Sequence, residues 1–419
     1  MKPLLLLLAA LLAPDIEREV QRIAGSRPLW PGFEPLGIPL AIYDGQRTYL
    51  FRHPAPPEGF SPVYEGRHPA VNANTSQDIG GVSTATLMAD RPGTPAELAA
   101  VALHEAFHVF QRRKHPGWQA NEADLLVYPV DDAKLLARRR LESEALRQAL
   151  ADPKAAGCWA RQFLAFRRER FAAIDPAFAA YERGTELNEG LAQYIQLQAA
   201  GRTPEIPAEE FAAAEVRHRA YTIGPAIAFL LDRLRPGWQA ALEANDKQHL
   251  EDLLAGIDGE GCAFTPAEIE RFERVAREDT AAIRMGRTER RKAFDNRPGW
   301  RVVIKAAEGK PLWPQGFDPL NVHLVDGGLL HTRFLKLGND AGKIEAIDSE
   351  GTDLEALTEG IGPHPLFNGV RRAVIGGLPK AEIKSEGGTV EIRAPGFSLR
   401  LENARVEVRT NEVTVETNG

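Results

Sequence analysis

His104, Glu105 and His108 stand in the order H-E-x-x-H within VALHEAFHVFQRR, residues 101–113. On a helix the two imidazoles lie one turn apart on a shared face and can grip one cation, and Glu105 can reach a water bound beside them. The chemistry open to such a set is metal-assisted hydrolysis, with Glu105 as general base. A catalytic zinc also needs a third protein ligand and one open position. His115 follows too late and at the expected frayed end of the helix, so the third ligand is sought further downstream.

The local sequence supplies the helix this chemistry requires. Thr94 reads as an N-cap, Pro95 as the first helical residue and Glu97 as the partner of a capping box. Leu103, Phe107 and Phe110 form the adjoining stripe that anchors the helix in a core. Downstream, YERGTELNEGLAQYIQ reads as a second helix with Glu186 and Glu189 on a common face. Glu189 precedes Gly190, Leu191 and Ala192, a small patch suited to close packing against another helix. Glu182 and Glu186 continue the same stripe, which leaves open a solvated acidic face.

Taken in order, HEAFH, LNEGLAQYI and YTIGPAIAFLLDRL resemble the gluzincin metallopeptidases, in particular the aminopeptidase N and glycyl aminopeptidase families. The resemblance covers roughly a third of the chain. It implies His104, His108 and Glu189 as ligands of one Zn2+, Glu105 as general base, Tyr221 as oxyanion donor, and peptides or proteins as substrates. His218, one helical turn before Tyr221, is the second candidate donor. About eighty residues separate His108 from Glu189, far more than in those families, so a helical insertion is implied. Their G-x-M-E-N segment, which holds a substrate amino terminus, has no counterpart; the corresponding strand reads GGVSTATLM and is expected to accept an extended peptide along its edge. Endo- and exopeptidase action therefore both stay open. The alternative is a secreted zinc-binding or peptide-binding protein without turnover, although a purely structural metal site has no use for Glu105.

These segments need a scaffold, and 419 residues are too many for one core. Residues 27–93 read as short strands, with AIYDGQRTYLF as two strands around Asp44-Gly45 and GGVSTATLM as a third. Residues 94–295 carry helical periodicity in segments separated by Pro and Gly. From residue 296 to the end the period falls to two, as in an antiparallel sheet or sandwich. The expected fold is multidomain α+β: a zincin-like, mostly helical catalytic domain over 14–295 with a small N-terminal sheet, then an all-β domain over 296–419.

PLWPGFEPL at residues 28–36 recurs as PLWPQGFDPL at 311–320, each copy followed by a strand and an Asp-Gly turn, which reads as one hairpin module used twice. Residues 1–13, with one lysine and a leucine run, read as a secretory signal peptide, with a buried N-terminal helix as the other reading. A secreted or periplasmic location and a mature chain without a membrane span follow. Cys158 and Cys262 exclude a cysteine-rich metal site and either pair or stay as buried thiols. A formal charge of −7 spread along the chain excludes a nucleic-acid surface, and the basic runs at 112–114, 138–140 and 167–168 read as solvated helix faces.

Overall fold

The computed structural model describes residues 12–60, 62–208, 211–347 and 353–418. The expected leader lies outside them except for its last two residues. Leu12 and Ala13 open helix α1 (Leu12–Ser26), which buries Ala13, Ile16, Val20 and Ile23 on one face. No described helix is long and apolar enough to cross a membrane.

The chain forms two compact units, Met1–Glu122 with Asp132–Ala276, and Ala123–Asp131 with Arg277–Gly419. The division falls inside the helix Pro266–Asp295, whereas the period change in the sequence marks the end of that helix.

The first unit contains a five-stranded sheet. Its strands are β1 (Leu40–Tyr43), β2 (Arg47–Phe51), β3 (Val63–Glu65), β4 (Thr75–Ile79) and β5 (Val82–Met88), in the order β3-β2-β1-β5-β4. The β1–β2 hairpin turns at Asp44, whose carboxylate accepts from the backbone N–H groups of Gln46 and Arg47. Gly80 and Gly81, both at positive φ, fold β4 back onto β5. GGVSTATLM therefore has partners on both sides and offers no edge for a peptide. The edge on this side belongs to β4, a segment too polar to read as a strand from its sequence.

Helix α2 (Pro95–Lys114) begins as its sequence dictates. Thr94 accepts from the Glu97 backbone and the Glu97 carboxylate accepts from the Thr94 N–H, which closes the capping box. Leu103, Phe107 and Phe110 are buried on its core side. Beneath Phe107 lies the first copy of the repeat, with Trp30 at 5.5 Å between ring centroids and Trp118, Tyr194 and Trp238 packed edge-on around it. His115 caps the helix C-terminus and stacks on Trp118, with Glu243 and Asp246 at its two ring nitrogens.

The long interval between the two halves of the motif holds helices α3 (Ala133–Ala151), α4 (Ala156–Ala173) and α5 (Pro176–Thr185). Helix α5 continues through a π-turn, Glu186–Gly190, into α6 (Leu191–Ala200). Helix α7 (Val216–Leu234) starts before YTIG and runs through Gly224 and Pro225, although Pro and Gly were expected to separate the helical segments. Pro225 has no N–H to return to the Tyr221 carbonyl, so the ladder is broken beside that tyrosine. Cys158 on α4 is bonded to Cys262, where a close backbone approach at Gly157 and Gly259 brings the two segments together.

The basic runs are not all solvated. Arg139, Arg140, Arg167 and Arg170 are buried, and the interior of α3 and α4 is an ion network. Arg170 reaches Glu142 and Glu182, Arg167 reaches Glu142 and Glu186, and Arg219 of α7 closes on Glu142 at 3.4 Å. Charged residues on a face this deep read as surface in a one-dimensional pattern, because burial of each depends on a partner far away in sequence.

The second unit holds the C-terminal part of the helix Pro266–Asp295, and from Trp300 onward it is built of two β-sheets. One runs, in spatial order, Glu382–Glu386, Thr389–Ala394, Phe397–Leu401, Gly342–Ile347, Phe334–Asn339 and Trp313–Phe317, antiparallel throughout. The other runs Ala404–Val408, Glu412–Thr417, Trp300–Lys305, Val370–Leu378, Glu355–Gly360, Gly328–His331 and Val322–Val325, with one parallel pair between Glu412–Thr417 and Trp300–Lys305. Alternating apolar residues such as Val302, Ile304, Val413 and Val415 supply its core. Both copies of the repeat lead through a 3-10 turn into a hairpin, at Pro35–Gly37 and Pro319–Asn321. Their first halves differ: Trp30 is buried, whereas Trp313 lies in a strand and is half-exposed.

Candidate metal centre

Helix α2 and the π-turn after α5 bring His104, His108 and Glu189 together, the grouping the resemblance implies across the long interval. His104 Nε2 and His108 Nε2 are 3.1 Å apart. Glu189 Oε2 lies 3.3 Å from His108 Nε2 and 3.9 Å from His104 Nε2. A tetrahedral ion bonded at about 2.0–2.1 Å separates its ligand atoms by about 3.3 Å, so this donor set fits a first-row divalent cation. Among the described residues it is the one group of three or more histidine, cysteine or acidic side chains close enough to hold a metal. All three sit in the wall of a cavity of about 700 Å³.

Glu189 reaches this position because the helix is widened there. A π-turn breaks the regular i→i−4 ladder and leaves carbonyls in need of donors. Gln111 supplies them: its side-chain amide donates to the carbonyls of Leu187 and Asn188, both at 2.9 Å. With the NH2 group so committed, the Gln111 oxygen faces His108 and accepts from Nδ1 at 2.8 Å. In the neutral ring the proton is thereby held on Nδ1, and the Nε2 lone pair is the one a cation would take. One carboxamide thus fixes both a histidine tautomer and the helix turn that carries the acid.

The two oxygens of Glu189 are divided between roles. Oε1 accepts from Arg217 Nη2 at 2.8 Å, and Oε2 faces the histidines. Arg217 also donates to the Tyr221 hydroxyl at 3.1 Å and pairs with Glu122 at 3.2 Å. Burial works against charge on Glu189, but the His104 and His108 imidazoles that face it outweigh burial and hold its pKa far below the ordinary carboxylate range. Burial lowers His104 to about 4, which keeps that imidazole neutral. For His108 burial acts downward too, yet the hydrogen bond and charge of Glu189 win and raise its pKa above the ordinary value. Glu105 is pushed up to about 7, chiefly by burial, so it is poised to take up a proton near neutrality.

Glu186 is elsewhere. It forms a two-pronged pair with Arg167, at 2.6 and 2.8 Å, and faces the ion network rather than the cavity. Together with the burial of Glu182 this removes the reading of a solvated acidic face. Tyr221 lines the cavity with its ring parallel to that of His104, while His218 is exposed and does not line it. The difference is angular: on α7 the cavity face carries Arg217 and Tyr221, four residues apart, and His218 is turned about 100° away from Arg217. Sequence reasoning missed Gln111 and Arg217. Their signal was position, at i+3 from His108 and i−4 from Tyr221, but nothing in either residue type announced it.

Two glycines make this packing possible. A Cβ on Gly224 would stand 2.6 Å from the Gly190 Cα and 3.0 Å from the Glu186 carbonyl. Gly190 meets α7 in the same way, which answers the close packing its neighbours suggested. Gly224→Ala should force the two helices apart, lower stability by about 1–3 kcal/mol and weaken metal binding. Thermal melting and zinc titration of the variant check this, and an unchanged zinc affinity would show that the crossing does not position Glu189.

Comparisons of the chain with protein families, with curated proteins and with solved structures give no match, so the site stands on its own geometry and chemistry.

Proposed function

We propose that this protein is an exported zinc metallopeptidase with a zincin-like catalytic unit. The observation that carries the reading is the trio His104, His108 and Glu189, set at tetrahedral spacing in an open cavity with Glu105 beside it. Gln111 holds His108 and Arg217 holds Glu189, so these two donors are positioned by the protein itself rather than by the ion.

Zinc bound there would supply a Lewis acid and a water acidic enough to be deprotonated near neutral pH. Glu105 accepts that proton as the water attacks the peptide carbonyl, and its raised pKa suits it to pass the proton on to the leaving amine. The Tyr221 hydroxyl, oriented by Arg217, donates to the developing oxyanion. Burial and the Glu189 charge raise the Tyr221 pKa, so the hydroxyl keeps its proton for that purpose. The Cys158–Cys262 bond supports export into an oxidising compartment.

The test is a mixed peptide library incubated with the purified full chain. The expected result is one zinc per chain, cleavage abolished by chelation, and cleavage restored by added zinc. Stoichiometric zinc without any cleavage would leave the binding protein without turnover as the better reading.

A further inference from the structure

The cavity beside the donor trio carries charge of one kind to spare. Its lining contains two carboxylates, Glu105 and Glu189, and two guanidinium groups, Arg112 and Arg217. Under the peptidase reading both carboxylates have work at the reaction centre. Arg217 is occupied by Glu189, Glu122 and the Tyr221 hydroxyl. Arg112 is different: it is exposed and makes no side-chain hydrogen bond or ion pair among the described residues. It sits four residues after His108 on α2, one turn further along the same wall.

A cavity so composed has no spare acid for a substrate amine, and it has one uncommitted cation for a substrate anion. We infer that Arg112 selects peptides carrying a carboxylate close to the scissile bond. The helix rises about 6 Å between His108 and Arg112, and an extended peptide advances about 3.3 Å per residue, so the carboxylate falls about two residues from the bond that is cut. An aspartate or glutamate side chain and a free C-terminus present the same group, and either can fork onto the guanidinium. This inference rests on the peptidase reading and deepens it to a substrate class.

The experiment uses the zinc-loaded full chain and four sets of matched peptides blocked at the N-terminus. One set has internal Asp or Glu and an amidated end, one has no acid and an amidated end, one has no acid and a free C-terminus, and one bears Lys with an amidated end. Cleavage sites and kcat/KM are read by mass spectrometry. The expected result is that the internal-acid or the free-terminus set exceeds the neutral set by about ten- to a hundred-fold, as a charge-assisted hydrogen bond provides, and which of the two does so identifies the source. Arg112→Gln should collapse that ratio toward one, mainly through KM, and Arg112→Glu should transfer preference to the Lys set. Equal cleavage of all sets by the unaltered chain, or a ratio unmoved by Arg112→Gln, would overturn the inference while the peptidase reading stands. No cleavage of any set by a zinc-loaded chain would overturn both. Zinc content and melting temperature of each variant separate loss of selection from loss of fold.

Discussion

Glu105→Gln should retain one zinc per chain and lose about 10²- to 10⁴-fold in kcat, the range that a positioned general base contributes. The side chain is nearly isosteric and Glu105 is not one of the three donors, so occupancy is expected to hold. Glu189→Ala should do the opposite: it removes a donor and leaves Arg217 without its carboxylate partner at 2.8 Å, so zinc is lost along with turnover. The pH profile adds a second readout. Glu105 works as a base only when ionised, and burial raises its pKa to about 7. A nearby cation favours the carboxylate, so the rate should rise with pH through a limb at or below about 7, and that limb should vanish in Glu105→Gln. Zinc analysis by mass spectrometry and pH–rate profiles on one cleaved peptide decide the matter. Full activity in Glu105→Gln would remove this residue from the chemistry.

Glu142→Gln should strongly destabilise the first unit. Glu142 is fully buried and faces Arg167, Arg170 and Arg219. Removing its charge leaves three buried guanidinium groups with one compensating carboxylate fewer, a loss of about 3–5 kcal/mol. For a unit of this size that lowers the melting temperature by about 10 °C. Burial pushes the Glu142 pKa upward, but Arg170 and Arg167 outweigh it and hold it below the ordinary carboxylate value. Its contribution is therefore complete above the unfolded-state pKa and is lost as the pH falls through the lowered folded value. The same network ends on Glu186, three residues before Glu189, so the variant should bind zinc more weakly as well as melt earlier. A melting temperature within about 2 °C of the unaltered chain would show that the network adds no net stability.

Much of the molecule could be read from local pattern. The capped helix α2, its buried stripe, the β1–β2 hairpin, the helical middle and the β-rich end depend on neighbours a few residues apart, and each appears where the sequence puts it. The pairing of His104 with His108 was legible for the same reason, since their spacing is fixed by the helix itself, whereas Glu189 came from the resemblance alone. What the sequence left open were choices made by distant partners. Glu186 and Glu189 share a helix face, and only the presence of Arg167 beneath one and Arg217 beside the other separates a buried ion pair from a carboxylate that faces the two histidines. Three charged helices looked solvated until they met each other, and β4 became the sheet edge only because Gly80-Gly81 turned it back. Spacing along the chain determined which residues were able to bind a cation. Burial, and the long-range partner each charged group found, decided which of them face the cavity.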